Sequence, residues 1–440
     1  MTNVERPIVA KFGGTSVADA EHVKRVGEIV ASNPDRRVIV PSAPGKRNKE
    51  DQKITDLLLE CNLLTEKELL YEQAFEAVSS RFEGMGRGLS CHSPVVGWLD
   101  EVHKGIDAKK GKDWIASRGE WVTGQILARF LGGAFIDADK LIILKEDGQI
   151  DPLTYQLIKN QISRDCLYVI PGFYGKDTRG IKIFARGGSD ITGAIVAKGV
   201  DAKVYENWTD TNGVMAADPR LVANPKTINE LTYREMRELG YRGADVLQMD
   251  AVLPVIEAGI PINIRNTFNP QHPGTMIIDR RDSDTKDVIG IAGRKDFVAF
   301  KIEKTGMNRT KGAARQILQI FEESDISFEH APTSLDAMSV IFQREQINGK
   351  EAGIRSALDK QLNPDKVSTV DDFSLICVVG QGIPAKASDV HATLFSTLKK
   401  AGINVLSESY SVNGNSIVIA VANEVFSLAV NDLYDAFIRK

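Results

Sequence analysis

Lys11-Phe12-Gly13-Gly14-Thr15-Ser16-Val17 is the stretch that decides the fold of this chain. It follows an apolar run at 7–10 that is typical of a buried strand, and it precedes residues 18–32, whose apolar side chains recur at helical spacing. A lysine at a strand end, followed by two glycines, two hydroxyls and a helix, predicts a phosphate site, because backbone N–H groups, a helix N-terminus and a cation all favour an anion. A tight turn is the alternative for the two glycines alone. No Gly-Lys-Ser/Thr closes the loop, so it is not a Walker A motif.

The chain has 440 residues, of which 42% are hydrophobic and 26% are charged, with a net charge of −4. This length predicts two to four globular domains. The charge balance argues against nucleic acid or an anionic membrane as partner, and no apolar run approaches the length of a membrane span. The N-terminus lacks the apolar core of a signal peptide, and the scattered cysteines and histidines have no zinc-site spacing. We therefore expect a reduced, cytoplasmic protein without a metal site of its own.

Short apolar runs alternate with helical stretches up to about residue 294. This alternation favours an α/β fold with a mostly parallel sheet covered by helices on both faces, in which ligands bind beyond the carboxyl ends of the strands. The predicted strands are Ile8–Phe12, Arg37–Val40, Leu167–Ile170, Lys203–Asn207 and Pro261–Arg265. The predicted helices are Asp19–Ser32, Ile54–Cys61, Thr65–Arg81, Glu120–Leu131, Leu153–Ser163, Asp190–Lys198 and Tyr233–Leu239.

After residue 294 the order becomes β-α-β-β-α-β, the ferredoxin-like unit, and then begins again. The first unit is predicted at Phe297–Glu303, Lys311–Ser324, Ile326–Ala331, Ala337–Phe342, Lys350–Leu362 and Lys366–Val370. The second is predicted at Phe373–Val379, Asp389–Ala401, Ile403–Tyr410, Ser416–Val421 and Asn423–Phe437, which leaves it one strand short. We infer that a strand at 288–294 completes it. The predicted domains are therefore 1–294, 295–370 and 371–440.

A second glycine pair, Arg186-Gly187-Gly188-Ser189-Asp190, opens another predicted helix. Ser189 or Asp190 is a natural N-cap, so a capped helix after a glycine turn is the structural alternative. That alternative does not explain Arg186, because an arginine beside such a turn suits a carboxylate or a phosphate oxygen. The chain thus has two predicted helices that begin after a glycine pair, one beside Lys11 and one beside Arg186. Helix capping alone does not require a basic residue at either place.

Two loops offer groups for a nucleotide: Trp208-Thr209-Asp210, and the segment 217–220, which reads Ala-Asp-Pro-Arg. A polar loop after a strand is the alternative for both. Glu120 is predicted in the first turn of a helix, where the helix dipole alone would favour a glutamate. The functional alternative is a carboxylate that accepts a hydrogen bond from the ammonium group of a substrate.

The loop Ser42-Ala43-Pro44-Gly45 follows a predicted strand and offers a hydroxyl and backbone N–H groups. Thr55 lies beyond a charged run at 46–53, which is interpreted as a solvated, mobile surface segment. Such groups at a strand end suit a bound phosphoryl or carboxylate, and a plain βα loop is the alternative.

Together these phrases resemble the aspartate kinases (aspartokinases) of the amino acid kinase family. The matching phrases are residues 11–17, 186–190, 208–210 and 217–220, in the same order and at similar spacing. The two units after residue 294 resemble the tandem ACT domains with which the family ends, so the resemblance covers essentially the whole chain. It implies a three-layer αβα, carbamate-kinase-like domain, an effector-binding first ACT domain and no fused homoserine dehydrogenase.

The resemblance implies transfer of a phosphoryl group from ATP, with Mg²⁺, to the side-chain carboxylate of L-aspartate, on the route to lysine, threonine, methionine and isoleucine. It implies catalytic roles for Lys11 and Asp190, and aspartate binding by Ser42, Thr55, Glu120, Arg186 and Ser189. It implies ATP binding by Lys11, Phe12, Gly13, Gly14, Thr209, Asp210, Met215 and Arg220. A carboxylate is already a nucleophile near pH 7, so positioning and charge neutralisation suffice and no general base is needed.

The chain departs from the family pattern at two positions. Where the family often reads Gly-Ala-Lys-Val-Leu-His-Pro, with a lysine that helps to bind ATP, this chain has Asp245 in place of the lysine. A tyrosine common before Asp-Pro-Arg is Met215 here. Another cation must replace the lysine, or ATP binds more weakly; the phosphoryl-transfer residues are unaffected.

By the same resemblance, the first ACT unit would bind an amino acid effector through Met307, Thr310, Gly312, Ala313, Phe328, Glu329 and Ser334. Glu329 is expected to pair with the side-chain ammonium of lysine; threonine is the other candidate effector, and an ordinary βα loop with an edge glutamate is the structural alternative. The ACT sheets are expected to pair two chains, with dimer versus tetramer left open. Two other functions remain: a kinase for another carboxylate or carbamate, and an amino-acid sensor with an inactive kinase domain.

Overall fold

The computed structural model describes residues 6–163, 165–185, 187–241, 247, 249–281, 287–412 and 414–439. Its strands are β1 Ile8–Phe12, β2 Arg36–Pro41, β3 Ala134–Phe135, β4 Tyr168–Val169, β5 Tyr174–Asp177, β6 Gly180–Ile183, β7 Val204–Thr209, β8 Glu230–Thr232, β9 Ile262–Asn266, β10 Thr275–Ile278, β11 Gly290–Glu303, β12 Ala337–Gln343, β13 Lys366–Val379, β14 Ser407–Tyr410 and β15 Ser416–Ala422. Its α-helices are α1 Ala20–Ala31, α2 Ile54–Glu66, α3 Glu72–Gly88, α4 His92–Asp107, α5 Lys112–Leu131, α6 Leu153–Gln161, α7 Gly188–Gly199, α8 Tyr233–Tyr241, α9 Leu253–Glu257, α10 Ala313–Glu323, α11 Glu351–Leu362, α12 Ala387–Lys400 and α13 Phe426–Tyr434.

The chain divides into two compact units. The first consists of Met1–Val214, Thr227–Met236 and Asp245–Arg281, and the second of Met215–Lys226, Arg237–Ala244 and Asp282–Lys440. The short segment 215–226 thus packs with the C-terminal half of the chain, although the sequence places it in the first domain.

An eight-stranded sheet forms the centre of the first unit, with the order β3-β4-β2-β1-β7-β9-β10-β8 among the described residues. Its pairs are parallel except for β9 with β10, which confirms the predicted, mostly parallel sheet. All five residues of β1 are buried, and Lys11 lies beside Val40 of β2 and Asn207 of β7. Because these strands are parallel, the loops after β1, β2 and β7 meet at one edge of the sheet.

The two faces of β1 meet different helices. Ala10 and Phe12 join the core cluster that also contains the apolar residues of α1–α5. Since side chains alternate along a strand, Lys11 points to the opposite face, where α7 contacts β1, β2 and β7. Asp19 caps α1 by accepting a hydrogen bond of 3.0 Å from the backbone N–H of His22.

The helices between β2 and β3 differ from the prediction. The helix predicted at Thr65–Arg81 is wrong at its start, because α2 continues to Glu66 and the chain turns at 67–71, where Glu68 has a φ of +56°. α4 was not predicted. The helix predicted to begin at Glu120 is α5, which begins at Lys112 and places Glu120 in its interior.

The second unit contains an antiparallel sheet with the order β12-β11-β13-β15-β14. Where separate strands were predicted, β11 and β13 are continuous strands of 14 residues each. Gly290–Arg294 of β11 pairs with Leu375–Val379, and the other half of each strand pairs around Phe300 and Thr369. The strand predicted at 326–331 is wrong, because that segment makes only an isolated bridge from His330 to Ile341.

One apolar core of this unit lies between the sheet and two helices. Alternate residues of β11 and β12, such as Phe300 and Phe342, pack with Ile317 and Phe321 of α10 and with Leu358 of α11. We retain 295–370 and 371–440 as the proposed limits of two ACT domains, although their strands are continuous. In the part of the chain that the structure describes, no helix is long and apolar enough to cross a membrane.

Candidate active site

Lys11 is held at the carboxyl end of β1 by two partners. Its Nζ lies 2.6 Å from Oδ1 of Asp190, in the first turn of α7, and 3.4 Å from Oδ1 of Asn207 on β7. Asn207 also donates from Nδ2 to Asp190 at 2.8 Å. Only 8% of Lys11 is exposed, so its ammonium is fixed in direction rather than free in solvent. The three side chains place one oriented cation where the two glycine-pair segments approach each other.

The first glycine pair lets three loops approach each other closely. The backbone N–H of Gly13 donates to the carbonyl of Trp208 at 3.0 Å, and that of Gly45 donates to the carbonyl of Gly14 at 2.8 Å. A Cβ on Gly14 would lie 3.0 Å from the carbonyl oxygen of Ala43, which leaves little room for a side chain. The loops after β1, β2 and β7 therefore come together in one close backbone cradle, which the small size of glycine permits.

We expect Gly45→Ala to damage this cradle. The added Cβ would lie 2.7 Å from the carbonyl carbon of Gly14 and 2.9 Å from the backbone nitrogen of Thr15, which are main-chain atoms that cannot turn away. Overpacking of this kind costs about 1–3 kcal/mol of unfolding free energy, and a shifted loop lowers kcat by about tenfold or more.

Thermal unfolding and steady-state kinetics check this prediction, with Gly84→Ala as control. A Cβ on Gly84 meets nothing within 4 Å, and alanine stabilises a helix by about 0.5–1 kcal/mol relative to glycine. Equal melting temperatures and turnover in the two variants would contradict the close approach at Gly45.

The second glycine pair opens α7, but not by the predicted capping. Gly187 is the N-cap residue, with a φ of +64° and no side-chain cap, so the prediction that Ser189 or Asp190 caps the helix is wrong. Asp190 is free for Lys11 instead. Ser189 is buried beside Gly172, where a Cβ would lie 2.6 Å from its Oγ. Arg186 lies outside the described residues.

Glu120 is a buried carboxyl in the interior of α5. It is 4% exposed, and its Oε2 has no hydrogen-bond partner among the described residues. Burial raises the pKa of Glu120 to about 8, against the opposite effects of a backbone hydrogen bond from Ala43 and of the charge on Arg118. The first-turn interpretation is wrong, so the helix dipole does not account for this residue. An unsatisfied buried carboxyl is suited to a ligand ammonium.

The loop at 42–45 links Glu120 to Lys11. The backbone N–H of Ser42 donates to the carbonyl of Phe12 at 3.0 Å, and a Cβ on Gly119 would lie 2.7 Å from Cβ of Ala43. The N–H of Ile54 donates to the carbonyl of Pro44 at 3.2 Å, which brings the half-buried Thr55 to the same loop.

The charged segment 46–53, which the sequence predicts to be a solvated surface segment, is exposed only in part. Residues 46–50 are exposed, but the side chain of Asp51 is 11% exposed and pairs with Arg81 and Arg47. The interpretation of the whole run as solvated is therefore wrong at Asp51.

Trp208 is a core residue rather than part of a nucleotide surface. It is fully buried, its Nε1 donates to Oε2 of Glu206 at 2.8 Å, and its ring stacks on Phe12. Arg36 and Arg265 lie over the same ring, and Arg36 pairs with Glu206. This buried network fixes the end of β7.

Of the residues assigned to ATP, Thr209 and Asp210 directly follow Trp208, and Thr209 is half-buried while Asp210 is exposed. Thr209 accepts a hydrogen bond of 2.9 Å at its carbonyl from the N–H of Thr267. Met215 and Arg220 belong to the second unit, where Arg220 pairs with Asp218 at 2.6 Å. The residue Asp245 lies outside the described residues.

Three residues that contact the site were missed by sequence reasoning: Asn207, Arg81 and Asp51. The register of the sheet is the signal that finds Asn207, because it places this residue directly beside Lys11. No pattern in the sequence marks Arg81 or Asp51, since both resemble ordinary surface charges. Among the described residues, no group of three or more His, Cys, Asp or Glu side chains comes together to hold a metal ion.

The residues assigned to an effector lie in the second unit. Met307 is buried in a short turn between two residues of positive φ, Gly306 at +74° and Gly312 at +84°. The backbone N–H of Glu329 donates to the carbonyl of Ile341 at 2.7 Å, beside β12. Of the remaining members, Thr310 ends the turn and Ala313 begins α10. Phe328 is exposed and does not lie on the predicted strand, and the backbone N–H of Ser334 donates to the carbonyl of Ala337 at 2.8 Å.

Comparison with known proteins supports the assignment by resemblance. The model of the amino acid kinase family matches residues 6–266, and an ACT domain model matches residues 376–437. Aspartokinase 3 of Bacillus subtilis is 34% identical over 449 aligned residues, which cover 98% of each chain. The crystal structure of Clostridium acetobutylicum aspartate kinase is 39% identical with a TM-score of 0.93, and the match covers 98% of this chain and 100% of that one.

More distant solved structures share the fold. Escherichia coli aspartokinase III, solved with aspartate and ADP and separately with lysine and aspartate, is 22% identical with TM-scores of 0.74 and 0.75. Both matches cover 99% of this chain and 100% of the other, and at this identity they show likeness of fold alone. From the family match and the full-length similarity to the Bacillus protein, the chain belongs to the aspartokinases of the amino acid kinase family.

Proposed function

We propose that the protein transfers the γ-phosphoryl group of ATP to the side-chain carboxylate of L-aspartate and releases ADP and 4-phospho-L-aspartate. The observation that carries this proposal is the Lys11–Asp190–Asn207 cluster, which aims one cation into the cradle formed by Gly13, Gly14 and the loop at 42–45. The unsatisfied carboxyl of Glu120 borders the same loop.

In this mechanism each group positions a reactant or neutralises charge. Lys11 stabilises the charge that spreads over the phosphoryl oxygens during transfer, and Asp190 and Asn207 keep its ammonium oriented. Glu120 holds the ammonium of aspartate, and Arg186 is assigned to its α-carboxylate. Ser42, Thr55 and Ser189 complete the pocket. The acceptor carboxylate attacks directly, so no proton has to be removed from it.

Within the first unit, ATP is assigned to Lys11, Phe12, Gly13, Gly14, Thr209 and Asp210; Met215 and Arg220 of the second unit remain predictions from the resemblance alone. Mg²⁺ is expected to arrive with the nucleotide and to be held mainly by its phosphates and by water, as this ion usually is in kinase sites. When bound, the ion neutralises phosphate charge.

A coupled ADP-release assay with L-aspartate, L-glutamate, N-acetylglutamate and carbamate as separate acceptors tests the function. We expect turnover with aspartate in far excess over the others. Turnover with another acceptor alone would indicate a sister kinase, and no turnover with any acceptor would indicate an amino-acid sensor; either result contradicts the proposal.

We further propose that an end-product amino acid inhibits the enzyme through the first ACT domain, with lysine as the first candidate and threonine as the second. The E. coli protein was solved with lysine, and this chain has a half-buried carboxylate, Glu329, beside β12 that suits a lysine ammonium. Glu329→Ala is expected to raise the lysine concentration for half-inhibition by about tenfold, the usual scale of one charge-assisted hydrogen bond, and to leave uninhibited turnover intact.

Lysine titrations of aspartate phosphorylation check this prediction, with exposed Glu322→Ala as the matched control on the same unit. Threonine and methionine are titrated alone and in pairs with lysine. Equal lysine sensitivity in both variants would show that lysine binds at a site that does not include Glu329. Inhibition by threonine and not by lysine would identify threonine as the effector.

A further inference from the structure

Arg81 is a buried arginine on α3 whose partners are the backbone of the active-site loops. It is 7% exposed and lies on the same helix as the core residues Val78, Phe82 and Met85. A charged side chain is rarely buried unless every donor has a partner, because an unpaired buried charge is costly. The position of its partners therefore shows what the side chain does.

One end of the guanidinium contacts both loops of the phosphate cradle. Its Nη1 donates to the carbonyl of Gly45 at 3.0 Å and to the carbonyl of Ala18 at 3.3 Å. Gly45 ends the loop that also donates to Gly14, and Ala18 directly follows the turn formed by residues 14–17. A single planar group thus bridges the two segments.

The other end of the guanidinium is fixed by a carboxylate. Both Oδ atoms of Asp51 lie 2.6 Å from Nη2 of Arg81, and the side chain of Asp51 is 11% exposed. Arg47 donates to Asp51 from its backbone N–H at 2.9 Å and from Nε at 2.9 Å. Asp51 thereby holds the guanidinium of Arg81 in one orientation. Through Arg47 it also connects the beginning of the charged segment 46–53 to its later part.

We propose that Arg81 is a positioning residue for phosphoryl transfer, which sets the separation of the Gly13–Gly14 loop and the Ser42–Gly45 loop, with Asp51 as the counter-ion that orients it. The inference rests on the proposed function. Arg81 touches neither substrate nor phosphoryl group; it acts through the Gly45 and Ala18 carbonyls. Lysine cannot replace it, because one ammonium cannot satisfy two carbonyls and a carboxylate with the planar geometry of a guanidinium.

The test is a comparison of Arg81→Lys, Arg81→Met and Asp51→Asn with the wild-type enzyme in the ADP-release assay. A displacement of about 1 Å in the reacting groups lowers turnover by up to about 100-fold, so we expect kcat to fall about tenfold in Arg81→Lys and more in Arg81→Met. Asp51→Asn keeps a side chain that can form hydrogen bonds, so we expect a smaller fall in kcat for this variant. KM for aspartate and ATP should change by less than about threefold, since the loss lies in the transition state.

Arg87→Met is the matched control, because Arg87 lies on α3 with a 59% exposed side chain that pairs with Glu83. Circular dichroism and melting temperature give the folded fraction of each variant, and kcat is expressed per folded enzyme. A lower melting temperature with unchanged kcat in Arg81→Lys and Asp51→Asn would show a structural role only and overturn the inference, even if Arg81→Met fails to fold. Wild-type enzyme without aspartate turnover would instead overturn the proposed function.

Discussion

Replacement of Lys11 by alanine is expected to lower kcat for aspartate phosphorylation by about 100- to 1,000-fold, the scale measured when one preorganised donor to a transition-state charge is removed. The reason is the geometry of its ammonium, which Asp190 at 2.6 Å and Asn207 at 3.4 Å hold in one direction at the end of β1. Lys11→Arg should recover little, because the larger guanidinium does not fit the same two oxygens.

Lys24→Ala provides the control for this prediction. Lys24 lies on α1 in the same unit, pairs with Glu21, and has a 44% exposed side chain, so its loss should leave turnover unchanged. Rates are measured at saturating ATP and aspartate and corrected for the folded fraction. Turnover of Lys11→Ala within threefold of the wild type would refute the role of Lys11 in phosphoryl transfer, while the family assignment would stand.

The second large effect is expected at Glu120. Glu120→Gln should lower kcat/KM for aspartate by about 100-fold, because a neutral amide cannot balance a desolvated ammonium and because breaking a buried charge pair costs several kcal/mol. Burial that raises the pKa of this carboxyl to about 8 adds a pH dependence. Below that pH the carboxyl of Glu120 is mainly protonated in the free enzyme, and this proton must be released when aspartate binds.

The sign of the pH effect follows from the ionised fraction. The apparent affinity scales with the fraction of Glu120 that is ionised, so KM for aspartate should fall about tenfold per pH unit well below 8 and level off above it. Glu120→Gln should remove this slope between pH 6.5 and about 8.5. Exposed Glu101→Gln on α4 should keep the wild-type slope. A KM that rises with pH in the wild type, or an unchanged slope in Glu120→Gln, would exclude this carboxyl as the ammonium site.

The sequence determined the parts of the protein that depend on short-range patterns. Alternating apolar runs and helical stretches predicted the parallel sheet of the first unit, and the glycine pairs next to Lys11 and Asp190 predicted two helix starts at one sheet edge. These features extend over a few residues, because strand and helix periodicities and the backbone needs of glycine are local. The resemblance of these short sequence motifs to those of the aspartate kinases predicted the family.

Only the tertiary structure decided how those parts meet. Lys11 and Asn207 are 196 residues apart, Arg81 and Ala18 are 63 apart, and Arg81 and Gly45 are 36 apart. Whether Glu120 is a helix-start residue or a buried carboxyl depended on where α5 begins and on what covers it. Such contacts depend on burial and on the register of packed elements, which no local pattern encodes, since one arginine or aspartate is equally compatible with a solvated surface. The sequence alone therefore indicated which side chains could take part in phosphoryl transfer. Tertiary packing decided which of these side chains are held in a fixed position and what their protonation state is.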